Sequence, residues 1–100
     1  MKKKLYFVEK TMNVAGFYLE FEIVNVTKNK KKALSTFNKF TKSAKGTQYG
    51  YTLNEYTVES SKQRLSSLIK NFSQLPINFF KNLNILNFVP LQEYQPAAIR

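Results

Sequence analysis

The residue pattern predicts an α+β protein. The expected form is a two-layer sandwich: a small mixed sheet of three to four strands, order β-β-α-β-α, with the helices on one face. Three observations predict it. Phe17, Leu19, Phe21 and Ile23 alternate with Tyr18, Glu20 and Glu22, the period of a strand with one buried and one wet face. Ala33, Leu34, Phe37, Phe40 and Ala44 fall on one helical stripe, and so do Leu65, Leu68, Ile69 and Phe72. Between these two stripes lies a β-prone stretch, Gln48 to Glu59.

Taken in order, Leu5 to Glu9 is a short strand, and Asn13 to Gly16 holds turn formers. Phe17 to Val26 is the clearest strand, and the short turn predicts an antiparallel hairpin. Its apolar phase slips at Val24 and Val26, which calls for a bulge near Ile23 and Val24. Thr27 to Lys45 reads as a loop and then a helix, closed by Gly46. In the next strand Tyr49, Tyr51 and Leu53 share one parity, and Tyr56 and Val58 the other. That second slip predicts strongly coiled neighbouring strands, or else a hairpin at Asn54-Glu55. Ser60-Ser61-Lys62-Gln63 fits a capping box ahead of the second helix, and Pro76 ends or redirects that helix. Residues 77–89 admit a short helix and then a last strand, Ile85 to Val89, stopped by Pro90. The second strand, first helix and third strand form a crossover unit, which should be right-handed. The expected layout is one compact domain over 1–90 and an irregular tail over 91–100.

Charge carries the functional signal. The chain has 100 residues and a formal net charge of +10, an excess that favours anionic partners. Residues 1–50 carry +8 of it and residues 51–100 carry +2. Only two of the sixteen cations are Arg. Arg suits bidentate base or phosphate recognition, whereas Lys acts as a point charge, so the surface fits sequence-tolerant attraction. Thr27 to Lys45 holds seven lysines and no acid. Lys31, Lys32, Lys39 and Lys42 fall opposite the apolar stripe, Lys45 sits near its edge, and Lys28 and Lys30 crowd the loop and first turn. Lysines at a helix N-terminus oppose the macrodipole, a small cost that hints at another role. Lys2, Lys3 and Lys4 are expected to add a flexible basic arm.

Other chemistry is thinly supplied. The chain has no Cys, His, Asp or Trp. Nucleophilic triads and thiolate metal sites therefore have no members to draw on, and no metal or other cofactor is expected. Gly16, Gly46 and Gly50 match no phosphate loop. Glu20 and Glu22 share a strand face, yet read as the wet side of an amphipathic strand rather than an acid–base pair. Tyr6, Tyr18, Tyr49, Tyr51 and Tyr56 lie in strands, but Tyr18 shares its face with two carboxylates, which disfavours a stacking platform for RNA bases. The basic start is followed by too short an apolar run for a signal peptide, and no run is long enough to cross a membrane. A cytoplasmic or intravirion location is expected. Heavy use of Lys, Asn, Phe and Ile matches the bias of an AT-rich genome, such as a low-GC bacterium or its phage.

The expectation is therefore a small, non-enzymatic, sequence-tolerant nucleic-acid-binding protein, with no small-molecule substrate. Its DNA or RNA contacts are Lys28, Lys30, Lys31, Lys32, Lys39, Lys42 and Lys45, with Lys2, Lys3 and Lys4. The alternative is a protein–protein interaction module, such as a phage-encoded inhibitor or structural component. It would dock on an acidic partner surface through Ile77, Phe79, Phe80, Ile85 and Phe88. Peripheral attachment to an anionic membrane is a weaker third reading, because the apolar stripe of the first helix is needed for the core.

Overall fold

A computed structural model describes residues 2–14, 17–71 and 84–95, with the backbone alone over 13–14 and 17–21. The elements run β1 (Lys2–Val14), β2 (Phe17–Thr27), α1 (Lys30–Ala44), β3 (Tyr49–Glu59), α2 (Lys62–Asn71) and β4 (Asn84–Tyr94). The α+β class and the order of the first five elements are as expected, and a fourth strand completes the sheet. Its order is β2-β1-β3-β4. All three neighbouring pairs are antiparallel, where a mixed sheet was expected. β2 and β3 do run parallel to each other across the α1 crossover, but β1 lies between them and takes both sets of hydrogen bonds.

β1 and β3 form the centre, and their pairing is unbroken from Lys2↔Glu59 to Met12↔Tyr49. Because side chains alternate along a strand, this register sorts the core into two sets. Tyr6, Val8, Tyr51 and Leu53 pack with Ala33, Phe37 and Ala44 of α1. Leu5, Phe7 and Val58 point the other way and pack with Leu65 and Leu68 of α2. The two helices thus cover opposite faces of the sheet, not one face as expected. The same fact explains the supposed phase slip in β3. Both parities are apolar because both faces are buried, and β3 has neither an irregularity against β1 nor a hairpin at Asn54-Glu55.

The irregularities fall in the outer strands. Opposite β1, β2 carries extra residues at Val24 and Phe21. The first is the bulge expected near Ile23 and Val24. It returns both Ile23 and Val26 to the α2 side of the core, while Val24 joins the α1 side. Opposite β3, β4 carries extra residues at Leu86 and Leu91. β4 also runs through Pro90, which was expected to stop it. An edge strand tolerates proline, since one side of its backbone has no ladder to complete. Residues 91–94, expected as the start of an irregular tail, therefore belong to the sheet. The rest of that tail, 96–100, residues 77–83 of the expected short helix, and Phe72 and Pro76 at the expected end of the second helix lie outside the described residues.

Local signals set the helix ends. Asn29 caps α1, its side chain accepting from Lys32 N at 3.2 Å. Gly46, at φ +84°, takes the left-handed conformation that ends α1, and Thr47 closes the turn by donating to Ala44 O from both N and Oγ1. For α2 the cap is Ser61, whose Oγ accepts from Arg64 N at 3.2 Å. The reciprocal Ser60–Gln63 box is displaced by one residue, and Ser60 Oγ is buried without a hydrogen-bond partner.

Candidate nucleic-acid interface

α1 is amphipathic in the way its spacing requires. At about 100° per residue, Ala33, Phe37, Phe40 and Ala44 occupy about 60° of arc, and Lys31, Lys32, Lys39 and Lys42 about 100° on the opposite side. The structure buries or half-buries the first group and exposes all four lysines. The apolar side is held by aromatic contacts as well as area: Phe40 stacks on Tyr51 with ring centroids 5.3 Å apart. Eleven residues separate Lys31 from Lys42, about 16 Å along the helix axis.

Lys28, Lys30 and Lys45 are exposed at the two ends of this face. Among the described residues, none of the seven lysines from Lys28 to Lys45 forms an ion pair with a carboxylate. The cause lies in where the acids are. All six Glu belong to strands, Glu9 in β1, Glu20 and Glu22 in β2, Glu55 and Glu59 in β3, and Glu93 in β4. Both helices are free of acid. Thr41 and Ser43 turn their hydroxyls back to the carbonyls of Asn38 and Lys39, leaving ammonium groups as the charged feature of the outer surface.

Lys2, Lys3 and Lys4 are not a flexible arm. They open β1 and pair with Glu59, Val58 and Thr57. Two are opposed by acid: Lys2 stands directly across from Glu59, and Lys4 Nζ lies 3.7 Å from Glu55. The register still gathers charge at one end of the sheet. Tyr6 pairs with Thr27, so the chain leaves β2 for Lys28 beside the start of β1. Lys10, across from Glu22, lies over the Tyr49 ring at 4.1 Å to the centroid.

The described tyrosines offer no open stacking platform. Tyr6 and Tyr51 are buried. Tyr56 packs between Phe7 and Phe88 with centroids at 4.8 Å and 5.1 Å. Burial raises the Tyr6 phenol above its ordinary value, aided by a hydrogen bond to Glu55 and its negative charge. Burial likewise raises Tyr51, with the charge of Glu22 adding to it.

One buried feature gave no advance signal. Glu9 is only 4% exposed. Asn54 Nδ2 donates to its Oε2 at 2.5 Å, Thr52 Oγ1 to the same oxygen at 3.4 Å, and Tyr56 OH to Oε1 at 3.5 Å. These three donors are neutral, belong to β3 and reach the carboxylate on the α2 face of the sheet, tying β1 to β3. The apolar surface of β4 was foreseen in part. Ile85 and Phe88 were expected to be apolar anchors, and they are exposed at 40% and 48%, joined by Leu86 and Val89. Ile77, Phe79 and Phe80, proposed alongside them, lie outside the described residues. Among the described residues no group of three or more acidic side chains stands where it could hold a metal, and no helix is long and apolar enough to cross a membrane.

No protein-family model, curated protein or solved structure matches this chain.

Proposed function

We propose that the chain is a non-enzymatic, sequence-tolerant nucleic-acid-binding protein whose contact surface is the outer face of α1. The observation that supports it is the set of seven exposed ammonium groups, Lys28 to Lys45, with no carboxylate paired to them among the described residues. Each ammonium placed on a phosphate releases condensed counterions, and that release drives association. The lysines carry no planar fork to read base edges, and Tyr6, Tyr51, Tyr56 and Tyr94 lie against the core, so backbone charge is what the surface recognises. With about five lysines on phosphate, log K falls against log salt with a slope of about −4.5 on duplex DNA. Salt-titrated fluorescence anisotropy on unrelated duplex sequences tests this. Equal affinities with a steep slope support the reading, and no binding at low salt to DNA or RNA of either strandedness removes it.

A second reading rests on β4. Residues 84–92 contain no charged side chain in a chain of net charge +10, and four of their large apolar residues are exposed. Docking on a protein partner with an acidic surrounding surface would use Ile85 and Phe88 as anchors, with the α1 lysines speeding encounter. Charge reversal on α1 would then slow association only, whereas Phe88→Ala would raise the dissociation rate.

A further inference from the structure

We infer that one molecule holds two separate segments of double-stranded nucleic acid, one on α1 and one on α2, and so bridges them. This rests on the reading of α1 as a polyanion-binding face. It adds a second site on α2, with Lys62 and Lys70 as its cations.

The argument starts from the two cores. Leu5 and Phe7 alternate with Tyr6 and Val8 along β1, and the first pair packs on α2 while the second packs on α1. The helices therefore look outward in opposite directions, with a whole sheet between them. α2 repeats the composition of α1 on a smaller scale. Leu65 and Leu68 are buried, Ile69 is half-buried, and Lys62, Gln63, Arg64, Ser66, Ser67 and Lys70 are exposed. Its sequence contains no acid, and among the described residues no carboxylate pairs with Lys62 or Lys70. The middle layer has the opposite balance: the strands contain four lysines and all six glutamates. Positive charge thus leads on both outer layers, and the negative charge sits between them.

A single stiff duplex cannot serve both layers. Two interlayer spacings of about 10 Å separate the helices. Duplex DNA has a persistence length of about 50 nm, so folding it round so thin a body costs far more than two added cations return. Two segments, one per face, satisfy both layers without bending. The α1 side, with seven cations against two, takes the first segment, and α2 takes the second more weakly.

The test uses two duplexes of unrelated sequence, one immobilised on beads and one fluorescent in solution, with the full-length protein at low salt. The wild type should carry the fluorescent duplex onto the beads. The variant Lys62→Glu/Lys70→Glu should lose most of that capture, at least about fivefold, while its anisotropy curve on a single duplex moves by less than about twofold. Circular dichroism confirms that the variant is folded, and both positions are exposed. Undiminished capture by the variant overturns the inference, because bridging would then come from self-association through α1. No capture by the wild type at concentrations that saturate the anisotropy signal also overturns it, while leaving the α1 reading intact. Absence of any anisotropy signal removes both.

Discussion

The two faces of the sheet are built by the same rule and to different ends. On the α1 face a helix of fifteen residues lays Phe37 and Phe40 over Tyr6, Tyr51 and Leu53, so the packing is aromatic. On the α2 face a helix of ten residues lays Leu65 and Leu68 over Leu5, Phe7 and Val58. Beyond those leucines on the same face, the strands place Glu9, Thr11 and Asn54, buried and polar. One face devotes a long helix to the core and frees a full outer surface for lysine. The other is half greasy and half hydrogen-bonded. The difference teaches that both faces supply core, while exposed lysine is concentrated on one.

Variants sharpen this contrast, beginning with the largest effect. Reversing Lys31, Lys32, Lys39 and Lys42 to Glu should lower duplex affinity at least about a thousandfold at low salt, with the melting temperature little changed, since exposed charges contribute little to stability. Anisotropy and thermal unfolding read the two quantities side by side. Next, Phe37→Ala should cost about 3 to 5 kcal/mol and Leu68→Ala about 2 to 5 kcal/mol, by loss of buried area and the cavity left behind. Urea denaturation of both tests whether either face alone sustains the fold. A loss under about 1 kcal/mol at either site would show that its helix is not part of the cooperative unit.

Smaller effects probe the polar half and the chain ends. Asn54→Ala should destabilise by about 1 to 3 kcal/mol, because the Glu9 carboxylate loses its shortest hydrogen bond while remaining buried. Asn29→Ala should cost about 1 kcal/mol through the α1 cap, and Ser61→Ala a similar amount through α2.

Alkaline pH separates the faces again. Tyr6 and Tyr51 both lie on the α1 side, and both are raised above the ordinary phenol value. A phenol raised in the folded state contributes stability that is complete below its unfolded value of about 10 and is lost as pH rises through the folded value. Thermal unfolding between pH 8 and 11 should therefore show a loss at the alkaline end that Tyr6→Phe and Tyr51→Phe reduce.

Much of this was legible wherever one side of an element is wet. The Val24 bulge, the α1 stripe, the Leu65, Leu68 and Ile69 stripe of α2, the Gly46 stop and the outward lysines of α1 all follow from contrasts between neighbouring residues. Legibility failed where that contrast disappears. In β3 both parities are apolar because both faces are covered, and Tyr56 and Val58 mimicked a register slip. In β1 the opening lysines looked like a loose arm, since nothing in the local sequence shows that Glu59 and Glu55 arrive from a strand more than fifty residues later. Pro90 suggested a stop because proline forbids a central strand, and edge position is a property of topology that no single segment reveals. The α2 cations escaped notice because three charges on one helix are ordinary.

The position of β1 has a bearing on how the chain is made. Its partner β2 emerges from the ribosome directly behind it, so a hairpin is available at once. The other edge of β1 must wait until Glu59 has been added, 32 residues after Thr27. At bacterial to eukaryotic translation speeds that interval is about 2 to 6 seconds. Throughout it, the greasy run Leu5 to Val8 sits on an open ladder, which makes the nascent hairpin a natural client for chaperones.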